Sequence, residues 1–446
     1  DIEGLKPYLS KSWQMRFQGK RAILPDHPLR PPLAGATSIR RDARTPDGGV
    51  GGSDPHFLRE DHLDKLNIEY AILSSIQAGK LVSLPNTGEA TVLASAFNDY
   101  FIDKWLSVDD RYRLAMCVAV HDPVAAAREI RRIGGRDDVV AVYMPLMNIL
   151  MGNVHYYPIY EAAEELGLPI FLHPTGTEGA FQTSVSFAGG VPSTYIERHT
   201  CFPQIAMGNI TSLLFEGVFV RFPGLKVLAA EFGFGWVPHM LWRFDQNWRQ
   251  FRNEVPWLEK APSSYVLDHI RFTSQPLEEP EKDEYLTQIL EMVHADRTIL
   301  FSTDYPHWDT DYPQTTFQRL PEPLKQRIFH DNAAELFGLK AASNKEPAME
   351  HKVGNLSDIP EDDALTLEID GRPIGIFKAG SKVFAVKNLC PHKRAPLARG
   401  TVQGTMLPTA CAGQYEYAME NQVLKCPWHG WEFDLESGKC LFGVSN

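Results

Sequence analysis

No apolar stretch in this chain approaches the roughly 20 residues that a membrane-spanning helix needs. Basic residues are in deficit. Lys and Arg number 44 against 56 Asp and Glu, a formal net charge of −12. No Lys/Arg run offsets that balance, which argues against nucleic acid or an anionic membrane as a partner. The opening residues, Asp1-Ile2-Glu3-Gly4, lack the basic and apolar regions of a signal peptide, so a cytoplasmic location is expected. Cysteine is scarce, with six in the chain. Cys117, Cys201, Cys411 and Cys440 are scattered, and in a reducing cytosol they read as buried thiols rather than disulfides. There is no internal repeat. There is also no Asp-x-x-His-x-x-x-x-His motif, the kind of triad that would hold the mononuclear iron of an oxygenase.

What is present points to two domains. At 446 residues the chain exceeds a single compact core. Residues 60–340 alternate short apolar runs with longer amphipathic ones. The predicted strands are Tyr70–Leu73, Leu114–Val120, Val139–Tyr143, Ile170–His173, Val227–Glu231, Ile270–Thr273 and Thr298–Phe301. Helical patterns lie between them, such as Tyr157–Leu166 and Trp236–Asn253. This alternation predicts an α/β fold, a parallel sheet with crossover helices. Seven strands are one short of a (β/α)8 TIM-like barrel, and the missing strand would precede residue 60. The simplest explanation is a sequence that begins just after that strand. The barrel is assigned to 1–340. The polar, aperiodic stretch 341–363 reads as a linker. Residues 364–446, with predicted strands Leu365–Ile369, Ile374–Lys378 and Val383–Val386, read as a small all-β domain. Residues 20–56, rich in Pro and Gly, read as a long surface excursion.

The most specific motif is near the C-terminus. Cys390-Pro391-His392 is answered by Cys426-Pro427-Trp428-His429. Two Cys and two His in this order match the ligand set of a Rieske 2Fe–2S centre, where one iron takes two thiolates and the other two imidazoles. A structural zinc site accepts the same residue types, but the C-x-H spacing and Pro-flanked loops favour the cluster. The loops resemble the dioxygenase and ferredoxin type. Where the cytochrome-bc type has a disulfide pair, this chain has Ala395 and Trp428. Where that type has a Ser and a Tyr donating to the cluster, this chain has Trp431 and Phe433. Fewer donors imply a potential near the low end of the Rieske range, about −150 mV. An insertion with Cys411, Tyr415 and Tyr417 separates the loops. With only a few residues after Gly438, this domain too reads as clipped.

In the larger domain, polar residues sit at the C-terminal ends of predicted strands: His173, Glu231, Gln275 and Asp304. In a barrel these ends face one bowl. A His and an Asp there can share a divalent metal such as zinc, manganese or iron, which would acidify water or polarise a carboxylate. His307 follows Asp304 by three residues and could line the pocket or orient it. His199, at a predicted helix start, could face the bowl or pack on the surface. Arg40 and Arg41, in the early loop, could meet a substrate carboxylate, but solvated charges are the favoured reading. Asp54-Pro55-His56 has Asp-x-His spacing, but no apolar strand precedes it, so Asp54 reads as a helix N-cap.

Residues 1–340 resemble the decarboxylase-like branch of the amidohydrolase superfamily. The resemblance rests on Phe171-Leu172-His173-Pro174, on Gly217 through Val227, on Glu231 through Asp245, on Ser302 through Trp308 and on the closing Asp331–Phe337. It implies His173 and Asp304 as metal ligands. It also implies a catalytic His at the sixth strand end, where this chain has Glu231, a residue able to bind metal or act as base. The family's first-strand His-x-His or Asp-x-His motif has no counterpart here. The expected function is a metal-dependent hydrolase or decarboxylase of a small, aromatic or cyclic carboxylate. Glu231 and Asp304 would be catalytic, and a fused Rieske module would serve a redox partner. The alternative is a redox protein whose barrel is a non-catalytic docking body. A homo-oligomer is compatible with either.

Overall fold

A computed structural model of the chain describes residues 2–17, 39–174, 192, 194–339, 353–360, 363–369, 372–380, 382–390, 395–407, 416–427 and 430–441. His392, Cys411, Tyr415, Trp428 and His429 therefore lie outside the described residues. The chain forms two compact units, Asp1–Ser343 and Asn344–Asn446.

The first unit is built on seven parallel strands in chain order: β1 (Ala71–Leu73), β2 (Tyr112–Cys117), β3 (Val139–Tyr143), β4 (Ile170–Leu172), β5 (Val227–Ala229), β6 (Ile270–Thr273) and β7 (Ile299–Leu300). The register runs from Ala71 opposite Tyr112 to Thr273 opposite Leu300. This is the topology of a TIM-like barrel. Side chains alternate across it. Leu114, Met116, Val142, Ile170 and Val227 join the core under the helices. Their neighbours Ala115, Cys117, Ala141, Tyr143, Phe171 and Leu228 form a second core on the other face. Both faces are covered, so β3 reads Val-Val-Ala-Val-Tyr with every residue buried, as a parallel strand requires. The crossover helices start on side-chain caps. Asp122 accepts from the Ala125 N–H ahead of Pro123–Ile133, and Asn86 from the Glu89 N–H ahead of Thr87–Phe101.

Among the described residues no strand pairs with the outer edge of β1 or of β7. A cavity of about 1880 Å3 is lined by residues of both edges and continues to the strand C-termini.

The described part of the Pro/Gly-rich early segment runs along the surface, with Asp42, Arg44, Pro46, Asp47, Gly48 and Val50 exposed, and is anchored at a few points. Ala43 and Thr45 are buried, the Arg40 N–H donates to the Pro306 carbonyl, and Ile39 bridges His307. Its polar residues close local turns, as where the Ser53 hydroxyl donates to the Val50 carbonyl. Arg40 is not a solvated charge. It pairs with Asp42 and lies over the rings of Tyr305 and Tyr312, 5.9 and 5.2 Å from their centroids. Asp54 is an N-cap as expected, its Oδ1 accepting from the His56 and Phe57 N–H groups at 2.8 and 3.2 Å.

The second unit holds two antiparallel three-stranded sheets. One is ordered β10-β9-β8, from β8 (Leu365–Ile369), β9 (Arg372–Ala379) and β10 (Lys382–Lys387). The other is ordered β11-β12-β13, from β11 (Thr401–Leu407), β12 (Glu416–Lys425) and β13 (Glu432–Asp434). Phe377, Leu397, Leu424, Phe433 and Leu435 form its core, and Cys390 and Cys426 are buried among them.

Gly79 tests how tightly the barrel interior is packed. A Cβ there would run into the hydroxyl of Tyr143, which is itself buried and packs edge-on against His173 at 6.1 Å. Gly79→Ala should therefore cost about 1–3 kcal/mol in chemical denaturation. An unchanged midpoint would show that Tyr143 moves freely.

Candidate functional site

The strand ends bring three of the expected residues together. His173 follows β4, Glu231 follows β5, and Asp304 lies four residues past β7. One ligand atom from each falls within 4.8 Å of the others. Two backbone conformations aim the carboxylates. Glu231 and Asp304 have φ of 63° and 54°, in the left-handed region that side chains other than glycine seldom adopt. Such strain costs on the order of 1–3 kcal/mol per residue and persists where the surroundings impose it. Part of that restraint is visible. The Glu231 N–H donates to Thr273 Oγ1 at 3.0 Å, and Thr273 Oγ1 donates to the Gln275 carbonyl at 3.1 Å.

The imidazole is oriented as a ligand would need to be. His173 Nδ1 donates to the Pro174 carbonyl at 2.6 Å, leaving Nε2 to face Glu231 Oε2 at 2.9 Å. A carbonyl on the far nitrogen fixes which ring atom can bind an ion. His307 Nδ1 donates to Asp304 Oδ2 at 2.8 Å.

Protons in this cluster are shared. Burial pushes Glu231 up, but the charge and hydrogen bond of His173 outweigh it and hold the carboxyl low, at about 2. Burial opposes the His173 cation, yet Glu231 raises its pKa above the ordinary histidine value. Asp304 is pushed up to about 6 by burial, and then by the charge of Glu231. Burial lowers His307, but Asp304 raises it further, to about 9. Without an ion, protons on His173 and His307 balance the carboxylates.

Other expected residues fall nearby. His307 lines the cavity and Gln275 is buried on the same wall. His199 lies on the helix Tyr195–Thr200 and faces Asp309. Sequence reasoning missed His62. It lies on the π-helical turn Arg59–Asp64, buried, with Nε2 2.9 Å from Thr303 Oγ1 and its ring 4.4 Å from that of Tyr305. Burial first, then the charge of Arg40, holds it down at about 4, so it is neutral at pH 7. It ends no strand and belongs to no motif, so only its burial marks it.

In the second unit, the two Cys loops close alike. The Cys390 N–H donates to the Ala395 carbonyl at 2.8 Å, and the Cys426 N–H to the Trp431 carbonyl at 2.7 Å. Both bonds span five residues. Both thiols are free of disulfides and buried in one core, as a pair of cluster ligands requires.

Imidazole and carboxylate donors converging at the C-terminal mouth of such a barrel define a class, the metal-dependent hydrolases and carboxy-lyases. The amidohydrolase family model matches residues 71–339, and the chain belongs to that family. The model of the Rieske [2Fe-2S] domain matches residues 349–443, so the second unit is of the kind that carries a 2Fe–2S cluster. The gamma-resorcylate decarboxylase of Rhodococcus jostii (strain RHA1) is 25% identical over 301 residues, 64% of this chain and 88% of that protein. The ferredoxin component of the naphthalene 1,2-dioxygenase/salicylate 5-hydroxylase systems of a Ralstonia species is 28% identical over 86 residues, 19% of this chain and 66% of that one. Among solved structures, a dihydroxybenzoic acid decarboxylase from Polaromonas sp. JS666, with bound manganese and the inhibitor 2-nitroresorcinol, superposes with a TM-score of 0.50. It is 21% identical and covers 65% of this chain and 87% of that one.

The proton sharing gives a signed prediction. A divalent ion at this cluster must displace the proton on His173 Nε2 and needs Asp304 ionised, so binding releases protons. Asp304 titrates at about 6 and His173 above its ordinary value, so affinity should rise with pH through this range. Mn2+ titration calorimetry should find at least about tenfold weaker binding at pH 5.5 than at pH 7.5. Affinity that ignores pH would mean that the ion binds elsewhere.

Proposed function

We propose that the barrel is a metal-dependent decarboxylase of a hydroxylated aromatic carboxylate and that the C-terminal domain is an electron-transfer module. The observation that carries this reading is the convergence of His173, Glu231 and Asp304 within 4.8 Å, on a cavity large enough for an aromatic acid. His173 and Asp304 are the metal ligands in this reading, and Glu231 is a third ligand or a base. The donor set fits manganese, zinc or iron, and the manganese-bound relative supports the first of these. When bound, the ion supplies a Lewis acid that anchors the substrate carboxylate. The protein supplies the rest. Phe171, Leu228, Phe301 and Tyr305 line the cavity and give an aromatic ring an apolar wall. His307 keeps a proton on Nδ1 against Asp304 and fixes that carboxylate. Neutral His62 holds Thr303 from behind.

The cluster residues are Cys390 and Cys426, with His392 and His429 completing the set. When assembled, the cluster supplies one electron at a time. The likeness to ferredoxin components supports a separate redox partner. The two activities divide along the polar stretch 341–363. Among the described residues no helix is long and apolar enough to cross a membrane. We place the chain in the cytoplasm, where Cys117, Cys201 and Cys440 stay reduced.

Decarboxylation moves no net electrons, and this separates the reading from its rival, a redox protein with an inert barrel. Asp304→Ala removes a ligand charge and should abolish turnover of a hydroxybenzoate panel while leaving the cluster's visible spectrum intact. Cys390→Ser should bleach the cluster and leave most turnover. Loss of all turnover in the Cys390 variant, with the barrel still folded, would instead make the cluster a participant in the reaction.

A further inference from the structure

The strands stay tied to one another past the point where their backbone ladder stops. Ala229 stands opposite Phe272 in the β5–β6 register, and the Ala230 N–H turns to the other side and donates to the Leu172 carbonyl at 2.9 Å. The next donor facing β6 is the Glu231 N–H. In a continuing parallel ladder it would meet a main-chain carbonyl. Here it meets Thr273 Oγ1 at 3.0 Å, and that hydroxyl gives its own proton to the Gln275 carbonyl at 3.1 Å. The β6–β7 side repeats the substitution. The Ser274 N–H still reaches the Leu300 carbonyl at 2.8 Å, but the Ser302 N–H donates to Ser274 Oγ at 3.1 Å and the Gln275 N–H to Ser302 Oγ at 3.3 Å. Three hydroxyls thus take over from carbonyls where the chain leaves the strands.

Of the three, Thr273 bears directly on the metal cluster. It is buried, lines the cavity, and uses its hydroxyl both to accept and to donate. Its β-branched side chain is stiff at χ1, which holds Oγ1 in one place. The residue it anchors is the one most in need of restraint. Glu231 has a φ of 63°, an angle that a side chain other than glycine keeps only where its surroundings impose it. That torsion turns about the N–Cα bond, so a partner that pins the peptide N–H limits how the strain can relax. The same turn brings Glu231 Oε2 to 2.9 Å from His173 Nε2 and a carboxylate oxygen within 4.8 Å of the Asp304 ligand atom.

We propose that Thr273 is a positioning residue of the metal site. Its hydroxyl holds the Glu231 turn in the left-handed region and so sets the spacing of the Glu231 carboxylate from His173 and Asp304. This rests on the reading of that cluster as a metal site. As third ligand or as base, Glu231 brings its charge to the ion only from this turn. Valine has nearly the shape of threonine without the hydroxyl. It would leave the Glu231 N–H buried with no acceptor, a costly state that rotation of the peptide relieves. Serine keeps the hydroxyl with less bulk.

The test uses the full chain with its cluster assembled and compares Thr273→Val with Thr273→Ser. Mn2+ titration calorimetry at about pH 7.5 should find binding about 10- to 100-fold weaker in the Val variant, the range for a lost partner behind a metal site, and within about threefold of wild type in the Ser variant. Crystals of the metal-free Val variant should show Glu231 outside the left-handed region, with its Oε2 more than about 3.5 Å from His173 Nε2, a change that a general loss of stability does not produce. In the metal-free wild type the Glu231 amide should be protected from hydrogen exchange. If Thr273→Val does not fold, Thr273→Ala carries both comparisons. Wild-type affinity in a folded Val or Ala variant, equal loss in Val and Ser, or an unprotected Glu231 amide overturns the proposal and leaves the metal site standing. A wild-type chain that binds no Mn2+ at this cluster sinks both.

Discussion

Buried charge at the barrel mouth has to be neutralised, and the surrounding structure is arranged to do so. Glu231 and Asp304 are almost fully enclosed, 12% and 14% exposed at the side chain, with ligand atoms within 4.8 Å of each other. A pair this close cannot both ionise unless something positive joins them. In the protein alone that role falls to the protons of His173 and His307. Removing one partner of such a buried pair costs about 3–5 kcal/mol, because the other charge is left uncompensated. A divalent ion is the other way to balance the same site. In the proposed metal-dependent reading, His173 and Asp304, both raised above their ordinary values, are the groups that would give up protons to an ion.

The barrel makes such crowding affordable. Its interior is largely apolar, with Ala115, Cys117, Ala141, Tyr143, Phe171 and Leu228 in one cluster, and His173, Glu231 and Asp304 gather beyond the strand ends. The strands are short, and side chains just past them turn over the mouth. The left-handed backbone at Glu231 and Asp304 turns them further than an ordinary strand end would. The early segment then packs against the Asp304 loop through the Ile39–His307 bridge, and Gly51, Gly52 and Ser53 line the cavity.

Strand–helix alternation was readable along the chain because each parallel strand is buried on both faces, which forces short apolar runs such as Val139–Tyr143. His173, Glu231 and Asp304 were readable as polar residues closing such runs. His62 was not, because a lone histidine on a helical turn has no periodic signature and its burial arises from packing against Tyr305. Asp309 was hidden for a similar reason. Its partner His199 lies 110 positions away, and nothing local announces the pairing. The early segment read as surface turns because Pro and Gly report turns, and its described part is largely exposed, with Ala43, Thr45 and Gly51 tucked in. The Rieske loops were legible from ligand type and spacing alone, since a cluster fixes both.

The central claim is that His173 and Asp304 share a divalent ion in exchange for protons. The most direct measurement is anomalous diffraction at the manganese edge from crystals of the full chain soaked in Mn2+ at about pH 7.5. The account predicts a single strong peak bonded to His173 Nε2 and an Asp304 carboxylate oxygen, at ligand distances of about 2.0–2.2 Å, with the His173–Glu231 hydrogen bond broken. Saturating Mn2+ that leaves His173 Nε2 bonded to Glu231, with no peak between them and Asp304, would contradict it.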